Sequence, residues 1–333
     1  MTKEEQYDLE LDRVVAHIRG GGHRRVGFQL PDGLKHLIPL IADRIDSETR
    51  ATPIFCTEPC FGACDISETL PKLGCDLIVH MGHSKMVEDD EVEVLYIPCF
   101  SKIPAEEVLR QNLGGLAQKK IGLVASVQHV KELPRLAKIL SDNGFKVHIG
   151  EPGRRTEFPG QVLGCNYDAA RKVAGDVDAF LYVGGGNFHP LGVSLATGKD
   201  VLVLDPYRGE LREIRELVDR TLRKRFAQIE NARGSRSIGL LVSTKPGQRR
   251  IDEAASCLGE LRERGIRSDI ISYDRLEPAR LSLYSFDAYV NFGCPRMAVD
   301  DSELFPGPIL TPRELDILLG KSPWEEYAPD EIA

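Results

Sequence analysis

Three stretches open alike: RRVGFQL (24–30), KKIGLVASV (119–127) and RSIGLLVST (236–244). Each starts on a basic residue and runs into an apolar, β-type strand. A segment of helical period follows each one (LKHLIPLIADRI, VKELPRLAKILSDNG, IDEAASCLGELRERG), then a short second strand (ATPIFC, KVHIG, RSDIIS). Each unit closes on an Asp-led apolar run: CDLIVHMG (75–82), VDAFLYVGGG (177–186) and FDAYVNFG (286–293). Strand, helix, strand, helix, strand in that order gives parallel sheets with helices on their faces, because parallel neighbours need crossover connections. Runs such as FLYV and LIVH read as strands buried on both faces. The repeat of about 100 residues is too long for a solenoid layer and fits a small domain. The sequence therefore predicts an α/β protein of three similar small domains, 1–105, 106–230 and 231–333, around a shared centre.

Functional groups in open α/β sheets collect in loops beyond the carboxyl ends of the strands. Three domains packed with those ends inward would build one central site from residues about 100 positions apart. Cys64 in FGACDIS follows the second strand of the first unit, at the start of its next helix, and Cys165 in GQVLGCNYDAA holds the matching place in the second. Cys294 in NFGCPRMAVDD follows the closing strand of the third. Three thiolates are what a site-differentiated [4Fe–4S] cluster needs, with three irons fixed by protein sulfur and the fourth open to substrate. The competing readings are three unrelated core thiols and zinc, which favours close-spaced ligand pairs that are absent here.

The other five cysteines carry less. Cys75, Cys99 and Cys257 read as packing residues, while Cys56 and Cys60 form C-x3-C-x3-C with Cys64, a contiguous triad that is the structural alternative to the dispersed one. Eight cysteines without a leader-like N-terminus argue against a disulfide framework and for a cytoplasmic protein. A net charge of −8 argues against a sequence-independent nucleic-acid binder. No run approaches the roughly 20 apolar residues that span a bilayer. The basic runs at 23–25, 119–120 and 223–225 read as solvated edges or helix ends.

His83 in MGHSK and His189 in GGGNFHP follow closing strands as Cys294 does, which makes them candidates to line the site, where either could bind a carboxylate or move a proton. Gly185 and Gly186, in a glycine turn able to bring backbone N–H groups to an anion, and Ser84 complete the candidate cofactor-binding set. Asp300 and Asp301 read as caps of a helix after Cys294. No phosphate-binding G-x4-G-K-[ST] or helix-opening G-x-G-x-x-G is present.

FGACDIS, GQVLGCNYDAA and NFGCPRMAVDD, within this three-unit frame, closely resemble the motifs of the archaeal diphthamide-biosynthesis enzymes, the 2-(3-amino-3-carboxypropyl)histidine synthases. The resemblance runs from about residue 10 to residue 320. It implies that Cys64, Cys165 and Cys294 hold a [4Fe–4S] cluster, that S-adenosylmethionine is cosubstrate, and that the protein is a homodimer served by an electron donor that the sequence does not identify. It further implies that one electron cleaves the bond between sulfur and the gamma carbon of the methionine moiety. The resulting 3-amino-3-carboxypropyl group joins carbon 2 of a histidine imidazole in elongation factor 2, leaving methylthioadenosine. Lys85 stands after GHS where many members of the family carry another cysteine, and Cys56 and Cys60 lie outside the family pattern. The rival readings are quinolinate synthase, which shares three domains and a three-cysteine cluster but lacks the neighbours of Cys294, and a non-catalytic iron–sulfur carrier.

Overall fold

The structure, a computed structural model, describes residues 6–87 and 92–332. Strand β1 (Tyr7–Asp8) and helix α1 (Leu11–Gly21) lead into the first sheet, made of β2 (Arg25–Gln29), β3 (Thr52–Phe55), β4 (Leu77–Met81) and β5 (Val94–Ile97) in the order β3-β2-β4-β5, all parallel. Helix α2 (Ile38–Glu48) makes the first crossover, and β6 (Phe100–Ser101) returns antiparallel to β1. Val14, Val15 and Ile18 of α1 and Ile41 and Ile45 of α2 recur at helical spacing, and all join the core over Phe28, Val79 and Ile97.

Helix α3 (Glu106–Asn112) precedes the second sheet, whose strands β7 (Lys120–Ala125), β8 (Lys146–His148) and β9 (Ala179–Val183) are parallel; β10 (Asp200–Asp205) and β11 (Glu210–Glu213) extend it in the order β11-β10-β9-β7-β8. Helix α4 (Leu133–Asp142) lays Leu133, Leu136, Ile139 and Leu140 against it. Helices α5 (Asp168–Arg171), α6 (Phe188–Thr197) and α7 (Arg215–Ala232) follow. The third sheet takes β12 (Ser237–Ser243), β13 (Arg267–Tyr273), β14 (Ala288–Asn291) and β15 (Ile309–Leu310) in the order β13-β12-β14-β15, again parallel, with α8 (Ile251–Glu263), α9 (Pro295–Asp300) and α10 (Pro312–Leu318). The described residues fall into two compact units, Met1–Val162 with Asp168–Gly186 and Leu202–Arg212, and Leu163–Tyr167 with Asn187–Val201 and Glu213–Ala333.

The repeated sequence signature has a mechanical cause. The Asp before each closing strand accepts the backbone N–H of a basic residue at the opening of the unit: Asp76 from Arg24 at 2.9 Å, Asp178 from Lys120 at 3.1 Å and Asp287 from Arg236 at 2.9 Å. A carboxylate accepting backbone N–H groups makes a charge-assisted bond, and here it fixes the start of the central strand against its neighbour in all three sheets.

Two expectations need correction. Each sheet carries a fourth strand (β5, β10, β15) beyond the three read from the repeat, and the second sheet a fifth, β11. Arg225, read as part of a solvated basic run, has no exposed surface: Nε donates to Glu314 Oε1 at 2.8 Å, Nη1 to the Ala298 carbonyl at 2.6 Å and Nη2 to the Ile309 carbonyl at 2.7 Å. Glu314 also closes a capping box with Thr311 at the start of α10.

Candidate functional site

In the first unit the loop after β3 carries Cys56, Cys60 and Cys64. It is not helical until a single 3-10 turn at Pro71–Leu73, so Cys64 lies in irregular chain and not at a helix start as expected. Backbone without a ladder needs other partners, and the end of β2 and the turn that follows it supply them. Lys35 Nζ donates to the carbonyls of Thr57 and Glu58 at 2.7 and 3.0 Å. Gln29, the last residue of β2, donates Nε2–H to the Asp65 carbonyl at 2.6 Å and accepts the Ser67 N–H on Oε1 at 3.1 Å. Cys64 is thus held in a pinned, buried loop at the carboxyl end of the sheet, and a Cβ on Gly62 would sit only 3.2 Å from its Sγ.

Cys56 and Cys60 turn to partners of their own. Cys56 donates to Glu58 Oε2 at 2.9 Å, and Cys60 lies 3.9 Å from His80 Nε2. Burial raises both thiols above their ordinary range, Cys60 to about 12, with Asp65, Cys64 and Cys56 adding to the effect on Cys60. His83 follows β4 and sits against His80, Nδ1 to Nε2 at 2.9 Å. Ser84 is buried and accepts Gln161 Nε2–H at 2.7 Å, while Gln161 Oε1 takes the backbone N–H groups of Glu157 and Phe158. The structure therefore brings His83 and Ser84 to the same end of the first sheet as the Cys64 loop. Gly185 and Gly186 follow β9, Gly185 beside Tyr207 and Asp205, and the Gly186 carbonyl accepts Arg212 Nη2–H at 2.8 Å.

In the second unit the segment Leu163–Tyr167 presents Cys165. The Leu163 N–H closes on the Asn166 carbonyl at 3.0 Å, and the tail clasps the turn from outside: Ile332 N–H donates to the Cys165 carbonyl at 2.9 Å, and Glu331 Oε2 accepts the Tyr167 N–H at 2.8 Å. Asp330 secures that tail with a 2.7 Å ion pair to Arg250, whose Nε donates to the Phe292 carbonyl at 2.9 Å. Cys294 sits just past β14 at the head of α9, and Asn291 Nδ2–H donates to its carbonyl at 2.8 Å. Asn291 is itself oriented by the Tyr273 hydroxyl at 2.8 Å and the Gly293 N–H at 3.0 Å.

One side chain reports on both thiols. Tyr167 is fully buried, its hydroxyl donating to the Gly164 carbonyl at 2.7 Å. Burial holds its phenol well above the usual range; Arg296 opposes this, while Cys165, Glu331 and Cys294 reinforce it. Cys165 and Cys294 therefore both lie within electrostatic reach of a single phenol. Phe188 packs on Gly164 and carries the Arg296 guanidinium 4.3 Å from its ring centre, and His189 stacks edge-on to Phe188 at 5.1 Å. His189 thus shares the neighbourhood of the two cysteines. Gly192 of α6 is required there, because a Cβ would fall 1.9 Å from the Tyr167 hydroxyl oxygen.

Sequence reasoning missed Gln29, His80, Tyr167, Arg296 and the tail acids Asp330 and Glu331. Gln29 and His80 had a signal, being polar residues near the carboxyl ends of apolar strand runs. Cys75 and Cys99 pack in apolar clusters as expected, and Cys257 is half-buried on α8. Asp300 does not cap α9; it closes the helix end by pairing with Arg296 at 2.8 Å.

Parallel sheets with cysteines in pinned loops beyond their carboxyl ends define an α/β protein equipped for thiolate ligation. The chain belongs to the diphthamide synthesis protein family, whose sequence model matches residues 30–329. It is 36% identical to the 2-(3-amino-3-carboxypropyl)histidine synthase of Pyrococcus horikoshii over 98% of this chain and 94% of that protein. It is 30% identical to subunit 1 of the Schizosaccharomyces pombe enzyme of the same name, over 98% and 76%. A crystal structure of Dph2 from Pyrococcus horikoshii with a 4Fe–4S cluster matches the fold at a TM-score of 0.90 and 34% identity, covering 98% of this chain and 94% of that one. The family resemblance read from the motifs is borne out, and neither rival reading is favoured by these likenesses. No helix among the described residues is long and apolar enough to cross a membrane.

Proposed function

We propose that this chain is a 2-(3-amino-3-carboxypropyl)histidine synthase, a transferase that moves the 3-amino-3-carboxypropyl group of S-adenosylmethionine to carbon 2 of a histidine imidazole in elongation factor 2. The observation that carries the reading is 36% and 30% identity, over 98% of this chain, to synthases of that name. Cys64, Cys165 and Cys294 would hold a [4Fe–4S] cluster as its three protein ligands; the donor set fits, because each is a cysteine in a buried or half-buried loop at a strand's carboxyl end. When bound, the cluster supplies the open iron and the single electron that cleave the sulfur–gamma-carbon bond.

The protein's own groups orient and exclude. Asn291 and the tail residues Glu331 and Ile332 hold the backbone on either side of two ligands, as outer partners do in metal sites. Tyr167, whose phenol burial holds neutral, anchors the Cys165 turn through its hydroxyl bond to the Gly164 carbonyl. His83, Ser84, Gly185, Gly186 and His189 line the S-adenosylmethionine site, where a hydroxyl, two imidazoles and backbone N–H groups suit a carboxylate and an amine. We place the domain limits at 105 and 230 and assign a cytoplasmic homodimer that draws on a separate electron donor, with neither nucleic acid nor membrane as partner.

The test is anaerobic purification, reduction with dithionite, addition of S-adenosylmethionine and mass spectrometry of the products. Methylthioadenosine with 2-aminobutyrate or homocysteine sulfinate is the expected outcome. Formation of 5′-deoxyadenosine, or no cleavage by a cluster-loaded sample, overturns the reading.

A further inference from the structure

Cys60, His80 and His83 form a compact group that the proposed reaction does not use as a unit. One ligand-capable atom from each, Sγ and two imidazole nitrogens, lies within 4.8 Å of the others. Cys60 and His80 are buried and His83 is half-buried. A tetrahedral zinc, with bonds of about 2.3 Å to sulfur and about 2.0–2.1 Å to nitrogen, holds such atoms roughly 3.3–3.6 Å apart. Two of the observed spacings straddle that range, 3.9 Å from Cys60 Sγ to His80 Nε2 and 2.9 Å from His80 Nε2 to His83 Nδ1, and the third lies within 4.8 Å, so closure draws Cys60 towards the imidazoles.

The tautomer of His80 follows from its neighbours. Gln29 cannot be flipped, because its Nε2 faces the Asp65 carbonyl and its Oε1 faces the Ser67 N–H. His80 Nδ1 lies 3.1 Å from that same Oε1, which can only accept, so Nδ1 carries the proton. The lone pair of Nε2 therefore points at Cys60 and His83. A histidine ligand whose other nitrogen donates to a fixed acceptor is the arrangement that orients imidazoles on metals. Burial keeps both imidazoles neutral near pH 7, His80 well below its usual range and His83 at about 4.

We infer that Cys60, His80 and His83 are a mononuclear site for a soft divalent cation of the zinc class, separate from the cysteines assigned to the cluster. Binding releases one proton to solvent, from the Cys60 thiol, as the S–H bond gives way to a metal–sulfur bond. The His83 proton moves from Nδ1 to Nε2, so that Nδ1 becomes the ligand. The single positive charge left by a divalent cation and a thiolate is offset by the buried Asp65 carboxylate, which already acts on Cys60. Three protein ligands leave one position open to water, as in zinc sites that keep an exchangeable ligand.

The inference does not rest on the cluster reading, since Cys64 is not among these ligands. Iron–sulfur-loaded protein is incubated with zinc, passed over a weak chelating resin and examined by elemental analysis and zinc-edge X-ray absorption. One zinc per chain with one sulfur and two imidazole nitrogens in its shell is expected. Cys60→Ser and His80→Gln are each expected to lower zinc affinity at least tenfold with iron content unchanged, whereas Cys64→Ser loses iron and keeps zinc. Absence of retained zinc, an all-sulfur shell, or full zinc in folded Cys60→Ser protein overturns the inference; the absorption spectrum of the unmutated protein decides the matter where a variant fails to fold.

Discussion

Arg225 carries its charge in the interior, and what keeps it there is a complete set of acceptors: a bidentate Glu314 and two carbonyls that end α9 and begin β15. Removing one member of a buried pair leaves the other unpaired, which costs about 3–5 kcal/mol. Arg225→Met should lower unfolding stability by that amount in urea titration, and the double variant Arg225→Met/Glu314→Leu should recover most of it. A double variant as unstable as the single would mean that the two carbonyl contacts, not the ion pair, carry the cost. The sequence offered RKR at 223–225 and nothing to separate its members. Only the phase of α7 against α10 and β15 turns Arg225 inward while Arg223 stays exposed.

The three sheets share a device at the scale of the element, an Asp at the foot of each closing strand that binds the start of the central one. Asp287 shows its electrostatic consequence. Backbone N–H of Arg236 first, then the Ser237 hydroxyl and N–H, hold its carboxyl below the usual 3.8. A carboxyl lowered on folding adds stability above its unfolded value, and that stability is lost as pH falls through the folded one. Asp287→Asn should therefore be less stable than the parent at pH 7, and the gap should close below about pH 3.8; a gap that persists at pH 2 would assign the effect to packing. The tail is the second element with a clear task. Deleting residues 330–333 removes the Arg250 pair and both clasps on the Cys165 turn while leaving all three sheets intact. Circular dichroism should be unchanged, amide exchange in 163–167 should rise at least tenfold, and iron content should fall. Unaltered exchange would show that Tyr167 and Phe188 hold the turn unaided.

For the molecule as a whole, the proposed ligands stand in one chain at 64, 165 and 294, and a cluster that needs all three loses its hold when any is removed. Cys64→Ser, Cys165→Ser and Cys294→Ser should each abolish the absorbance of the loaded protein to a similar extent, while Cys75→Ser should leave it. Retention in one of the three would reassign that ligand, with Cys60 or Cys56 the nearest replacement for Cys64.

Much of this was legible because the repeat is written in local terms. An opening run led by a basic residue and a closing run led by an Asp recur three times with a helical segment after the first, and those copies made the sheets and their crossovers readable without coordinates. The fourth strand escaped because VLYI, VLVL and IL lie outside the repeated signature, and an apolar run does not declare its partner. Position at a strand's carboxyl end likewise pointed to the three cysteines and to His83 and His189, since loop location follows from strand order.

What the linear chain could not carry were partners set by side chains far apart in sequence: Gln29 with Asp65 and His80, Tyr167 with Glu331, Arg225 with Glu314. Each depends on rotamer and phase in a packed interior, where polar groups are obliged to find partners but the sequence does not say which. The sequence by itself determined the sheets, their order of appearance and the family to which they belong. The tertiary structure alone decided which polar residues are interior, and thereby which nitrogen of His80 is bare and what clasps Cys165, because those outcomes follow from desolvation and hydrogen-bond geometry that exist only once the chain has closed on itself.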